Sequence, residues 1–163
     1  MEKTGNYKHY LRPHGYGLRL HLGCGDYWFE EFINIDHAVL GGTDMIWDLR
    51  TKLPFQDQVV EEIQSHEFVE HFTKAEIDVM LKDWYRVLID GGKVIAVVPD
   101  IEELMKQGLI QQIYGIEQDH KWGYTVESLK ELFENHGFKN VHVEKKEFSH
   151  RVGEPKLEVM CNK

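Results

Sequence analysis

The tightest constraint on this chain is the run Leu18-Arg19-Leu20-His21-Leu22-Gly23-Cys24-Gly25-Asp26, followed by Phe32-Ile33-Asn34-Ile35-Asp36. It reads as a strand, a glycine turn and a second strand that ends in a carboxylate, which is the layout of a nucleotide site. Gly23 and Gly25 lack a Cβ, so the chain can turn with positive φ and its amides can come close to a ligand. Asp36 then offers two acceptor oxygens to a sugar diol. A dinucleotide fold would need G-x-G-x-x-G, a helix start under the pyrophosphate and an acid about 20 residues further on. Here the third glycine is absent, Asp26 brings negative charge to the pyrophosphate position, and only ten residues separate Gly25 from Asp36. A ligand with a sugar and no phosphates suits this turn better.

Between Gly25 and Phe32 there is room for one turn, not for the crossover helix that parallel strands normally need. A third strand is expected near Asp44 to Trp47, ended by Asp48, and a fourth over Val60 to Ser65. Glu61 and Glu62 are unusual in a parallel strand covered on both faces. Thr73-Lys74-Ala75-Glu76 is a capping box; Ile77, Met80, Leu81, Trp84, Val87 and Leu88 follow at helical spacing until Asp90-Gly91-Gly92 stops the helix. Val94-Ile95-Ala96-Val97-Val98 is a wholly apolar strand ended by Pro99-Asp100. Ile101 to Trp122 is mixed, with a short helix through Glu102 to Leu109. Thr125 caps a helix carrying Leu129, Leu132 and Phe133, with Gly137 at its C′ position. Val141-Val143-Lys145 and Leu157-Val159-Cys161 alternate at period two and form a closing antiparallel pair.

A chain of 163 residues with 42% hydrophobic content supports one good core and one domain spanning 1–163, with Met1 to Gly17 as an irregular arm. The formal charge of −9, with no Lys/Arg-rich run, opposes bulk nucleic acid and anionic lipid. Cys24 and Cys161 have neither disulfide-framework nor zinc-finger spacing, which points to free thiols in a reducing, cytoplasmic setting. The arm lacks the apolar segment of a signal peptide or membrane anchor.

The Leu20-x-Leu22-Gly23-Cys24-Gly25 turn and Ile33-Asn34-Ile35-Asp36 are joined by Asp48-Leu49, Leu53-Pro54-Phe55, Ser65-His66-Glu67, Glu70-His71-Phe72, Trp84-Tyr85-Arg86-Val87-Leu88, Gly91-Gly92, Val98-Pro99-Asp100 and His120-Lys121-Trp122-Gly123-Tyr124-Thr125. In this order the motifs resemble the small branch of the class I S-adenosylmethionine-dependent methyltransferases, from about Leu18 onward. The resemblance implies an α/β, Rossmann-like fold: a mixed seven-stranded sheet in the order 3-2-1-4-5-7-6 with helices on both faces. It implies S-adenosylmethionine as cofactor, cradled by Leu22, Gly23, Cys24 and Gly25. Asp36 and His37 would lie at the ribose, Asp48 and Leu49 at the adenine, and Ser65 and His66 at the methionine end. The expected reaction is methyl transfer to a small-molecule or glycan acceptor. The alternative is a catalytically inactive cofactor-binding partner protein, motivated by the thin N-terminal region.

The methyl donor is reactive in itself, so positioning supplies much of the catalysis and a base need not exist. If one is used, His66, Asp100, His120 and Tyr124 are the candidates by position. His66-Glu67-Phe68-Val69-Glu70-His71 looks like the zinc motif H-E-x-x-H but is one residue too long. On a continuous helix, positions five apart lie roughly 140° around the axis, so no metal is expected there. If His66 instead precedes the helix, it could join His37 or His120.

Overall fold

The computed structural model describes residues 17–109, 111, 119–148 and 154–163, with the backbone alone at 147–148. Residues 1–16 of the expected irregular arm, and residues 110 and 112–118 of the Ile101 to Trp122 stretch expected on the acceptor side, lie outside the described residues.

Seven strands form one sheet in the order β3-β2-β1-β4-β5-β7-β6. They are β1 Leu18–Leu22, β2 Ile33–Asp36, β3 Met45–Ile46, β4 Val60–His66, β5 Leu88–Pro99, β6 Lys139–Phe148 and β7 Glu154–Asn162. β1 to β5 pair in parallel, and β7 runs antiparallel to both β5 and β6. This is the expected order, with β7 inserted between β5 and β6. No helix among the described residues is long and apolar enough to cross a membrane.

Helix α1, Lys74–Val87, starts at the anticipated capping box: the Thr73 hydroxyl accepts from the Glu76 amide while the Glu76 carboxylate accepts from the Thr73 amide. It ends earlier than the glycines suggest. Leu88 is already extended and paired with Val60, and residues 89–92 fall in a register shift before Lys93 pairs with Glu62. Asp83 and Arg86 on α1 clamp the Leu53-Pro54-Phe55 loop. Asp83 accepts the Leu53 amide at 2.7 Å, and Arg86 donates to the Phe55 and Leu53 carbonyls. Helix α2, Ile101–Lys106, is capped by Asp100, and helix α3, Val126–Asn135, by Thr125. His136 bonds Asp78, and Tyr85 packs edge-on against Phe138, so the C-terminal end of α3 lies against α1.

Period-two alternation gives β1 and β4 two different faces. Leu18, Leu20, Leu22, Ile63 and Val60 join the main core with Trp84, Leu81 and Phe133. The opposite face is a polar and aromatic layer. Arg19 reaches Glu62 at 3.0 Å and lies 4.1 Å from the Phe32 ring centroid; His21 stacks on Phe29 at 4.3 Å. The two glutamates that looked out of place in a buried strand therefore serve as partners for Arg19, Glu61 at 3.9 Å.

β1 and β2 are parallel, yet no helix joins them. A single side chain does much of that work. Buried Asn34 accepts from the Phe29 amide at 2.8 Å through Oδ1 and donates through Nδ2 to the Phe29 carbonyl, the Phe32 carbonyl and Asp44. Its Oδ1 also faces His21 Nδ1 at 3.1 Å, which makes that nitrogen the protonated donor of a neutral imidazole. One carboxamide thus ties the loop 23–32 to both strands.

Replacing Asn34 with the isosteric Leu strands the Phe29 amide and His21 Nδ1 and leaves Asp44 only the residue-34 backbone amide. The expected loss is about 2–4 kcal/mol in chemical denaturation, against under about 1 kcal/mol if the amide were incidental. His21 gives a pH signature. Burial, opposed by the Asn34 bond and deepened by His66, lowers its pKa to about 4. The unfolded chain takes up a proton near pH 6.5 and the folded chain does not, so stability falls as pH drops from about 6.5 to about 4, by up to about 3 kcal/mol. Urea midpoints across that range should show this slope, and His21→Gln should flatten it.

Candidate functional site

The glycine turn sits where β1 ends. Gly23 and Cys24 donate their amides to the Ile35 carbonyl, and the Gly25 amide donates to Asp36 Oδ2 at 2.9 Å. Both glycines have positive φ, +71° and +55°. A Cβ on Gly25 would meet nothing within 4 Å, whereas one on Gly23 would run into the Phe68 ring at 2.1 Å. The open side of the turn is therefore at Gly25, and Phe68, from the loop after β4, closes the side at Gly23. Phe68 went unnoticed in the sequence because nothing local marks a phenylalanine whose partner is a glycine 45 residues earlier.

Asp36 is 6% exposed and already engaged. Its Oδ1 accepts from Ala38 at 3.3 Å and faces His37 Nδ1 at 2.8 Å, and its Oδ2 holds Gly25. A carboxylate has about four acceptor positions, so room is left for a ribose hydroxyl. The His37 side chain is largely solvent-exposed. Leu22 and Leu49 are core residues, so any contact they make with a ligand is through the backbone. Buried Cys24 has its thiol pushed above the usual range, chiefly by burial, and stays neutral.

Asp48 caps a turn. It accepts from the Arg50 amide and pairs with the Arg50 guanidinium through both oxygens at 2.9 Å; these bonds hold its carboxyl below the ordinary range. Ser65 is fully buried at the end of β4, and its hydroxyl has no hydrogen-bond partner among the described residues. His66 closes β4, bonded to Gln64 at 3.1 Å and edge-on to Phe29 and His21. Asn34, His21, Phe29 and His66 thus form one wall beside the glycine turn. Asn34 is visible in the sequence as a polar residue between isoleucines, a signal that the acid two residues later overshadowed.

A second cluster lies beyond β4. The premise of a continuous helix from His66 does not hold: His66 is in the strand, Glu67 has φ +51°, and Val69–His71 is a single 3-10 turn. His66 and His71 therefore point into different surroundings, His66 toward Phe29 and His71 toward His120, whose ring centroid is 4.7 Å away. Lys121 and Trp122 donate their amides to the Glu70 carbonyl at 2.8 and 3.2 Å, which brings His120 alongside. Burial, and after it the Glu67 charge, pushes the Glu70 carboxyl well above its ordinary range. Burial and the Glu70 charge also raise the Tyr124 phenol, so it stays protonated at neutral pH. Asp100 is committed as well, capping α2 through Oδ1 and facing Lys145 Nζ at 3.0 Å through Oδ2. Asp100 and Tyr124 are thus engaged or protonated in the ligand-free structure, while His66 and His120 carry imidazoles at the same edge of the sheet.

Gly23→Ala should destabilise the ligand-free protein through the Phe68 clash, by about 1–3 kcal/mol. Gly25→Ala should add only the strain of positive φ, of order 1 kcal/mol, and act mainly on ligand binding. Melting curves with and without S-adenosylhomocysteine separate the two; equal losses in both variants without ligand would place Gly25 with Gly23 as structural.

No protein-family model and no curated protein sequence matches the chain. Solved structures do. A S-adenosylmethionine-dependent methyltransferase from Archaeoglobus fulgidus superposes with a TM-score of 0.73 at 17% identity, over 96% of this chain and 90% of that one. A Thermotoga maritima methyltransferase described as a possible histamine N-methyltransferase gives 0.69 at 16% identity, over 90% and 82%. A Haemonchus contortus phosphoethanolamine N-methyltransferase, crystallised with phosphomonomethylethanolamine and S-adenosylhomocysteine, gives 0.60 at 14% identity, over 94% of this chain and 50% of that longer one. At such identities the likeness is one of fold: the chain has the class I S-adenosylmethionine-dependent methyltransferase fold.

Proposed function

We propose that the protein binds S-adenosylmethionine at the glycine turn and transfers its methyl group to a small-molecule or glycan acceptor. The observation that carries this reading is the left-handed Gly23-Cys24-Gly25 turn, open at Gly25 and backed by Asp36 at the adjacent strand end. It fits adenosine without phosphates: an open backbone surface at Gly25 for close approach, a carboxylate for the ribose, and no helix start for a pyrophosphate. The crevice outside the carboxyl ends of the strands is where open α/β sheets hold ligands. Two of the structural neighbours carry names of small-amine methyltransferases, which supports a small acceptor.

Within this reading the chain's own residues chiefly hold and orient. The donor supplies the reactive methyl, and the protein aligns the acceptor atom for in-line attack. His66, or His120 where no ion is bound to it, would take a proton where the acceptor releases one.

Calorimetry with S-adenosylhomocysteine and with NAD is the direct test. Micromolar binding of the first and none of the second is expected; the reverse ends the methyltransferase reading. Asp36→Ala should weaken S-adenosylhomocysteine binding by about 1.5–3 kcal/mol. It should also lower the melting temperature modestly, since the Gly25 amide loses its acceptor. Transfer of labelled methyl to an acceptor pool then distinguishes an enzyme from an inactive binding partner.

A further inference from the structure

We infer that Glu70, His71 and His120 form a binding site for a divalent transition-metal ion. One ligand atom from each lies within 4.8 Å of the other two. A tetrahedral or octahedral ion bound at about 2.0–2.2 Å from imidazole nitrogen and carboxylate oxygen sets such spacings between its ligands.

Glu70 supplies the independent observation. The residue is 1% exposed, and neither carboxylate oxygen has a hydrogen-bond partner among the described residues. Burial without donors disfavours the anionic form of such a carboxyl, and a bound cation would restore it. The neighbouring lysine does not serve it: Lys156 Nζ is committed to Glu67 at 2.6 Å and Glu154 at 2.7 Å. His120 Nε2 stands 3.9 Å from Glu70 Oε1, within ion-pair distance if the imidazole is protonated but beyond hydrogen-bond reach, a spacing also suited to two ligands on one ion.

The scaffold fixes all three ligands. Glu70 and His71 are adjacent in the 3-10 turn, and the paired amides of Lys121 and Trp122 on the Glu70 carbonyl hold the His120 segment over it. His71 Nδ1 lies 3.2 Å from the Asp119 carbonyl, the second contact that commonly orients a metal-binding imidazole and leaves the other nitrogen for the ion. Two imidazoles and one carboxylate favour zinc, iron(II), cobalt or nickel over magnesium and calcium. Three protein ligands also leave a position open for an exogenous oxygen, whose proton the ion would acidify. That consequence, an oxygen acceptor held by the ion, rests on the methyl-transfer reading; the metal site itself does not.

The test titrates cobalt(II) into protein purified without a histidine tag and stripped with a chelator, read by visible d–d absorption, with zinc(II) competition read by calorimetry. One ion per chain, bound with micromolar or tighter affinity and displaced by zinc, is expected. His71→Ala and His120→Ala should each weaken binding by at least the roughly 10–100-fold that even outer-shell changes cost. His142→Ala, an exposed histidine on β6, should leave it unchanged. His71 is partly exposed and its loss spares the core, so it decides the matter if His120→Ala misfolds. Absence of stoichiometric binding, or binding indifferent to His71→Ala, overturns the site. S-adenosylhomocysteine calorimetry on the same stripped samples shows whether the cofactor reading stands when the metal site falls.

Discussion

The Asn34 carboxamide is the interaction on which the cofactor-side architecture depends. Two adjacent parallel strands joined by ten residues have no crossover helix to cover the loop's polar backbone, and buried amides need partners. Asn34 provides them from inside β2, satisfying both main-chain groups of Phe29 and the Phe32 carbonyl while anchoring to Asp44 and His21. With the loop held, Phe29 covers His21, Phe32 lies under Arg19, and Gly25 is placed at the Asp36 carboxylate. Removing the helix exchanges a hydrophobic face for a hydrogen-bonded one, and directionality replaces area as the source of specificity.

That exchange explains why the sheet has two unlike faces. The face of β1 and β4 toward α1 is a conventional aliphatic core. The other carries Arg19, His21 and His66, each with a partner on a neighbouring strand or loop, and Gln64, which bonds Glu62 and His66 along β4. A neutral His21 is the natural consequence: it donates to an amide oxygen, is stacked on a phenyl ring and is 1% exposed, so a proton there would cost more than its surroundings return.

Much of the fold was legible because local signals agreed with it. The capping box at Thr73, the N-cap at Thr125, the apolar run ending at Pro99 and the glycine turn each name their element, and seven strand segments in that order admit few topologies. The helix end was misplaced because Leu88 satisfies helical spacing equally well, and only its pairing with Val60 assigns it to β5. The geometry of the candidate site was legible where it is local, as in the positive φ of Gly23 and Gly25. It was opaque where partners are distant, as with Phe68 on Gly23 and Lys156 on Glu67. Spacing around a helix likewise carries no information once a positive φ at Glu67 breaks the helix before it begins.

That break is what separates the two polar clusters at the carboxyl edge of the sheet. β4 delivers His66 on one side of the turn, toward Phe29 and the glycine loop, and the left-handed step at Glu67 redirects the chain so that Glu70 and His71 emerge toward the returning 119–124 segment. A regular helix started at His66 would have spread these residues around one axis and buried some against the sheet. Left-handed backbone costs a non-glycine residue of order 1–2 kcal/mol, and such conformations persist where surrounding contacts over-determine them. Here the Glu67 amide is held by the Val97 carbonyl and its side chain by Lys156. One constrained residue between β4 and the 3-10 turn therefore decides which histidine faces the glycine turn and which faces Glu70.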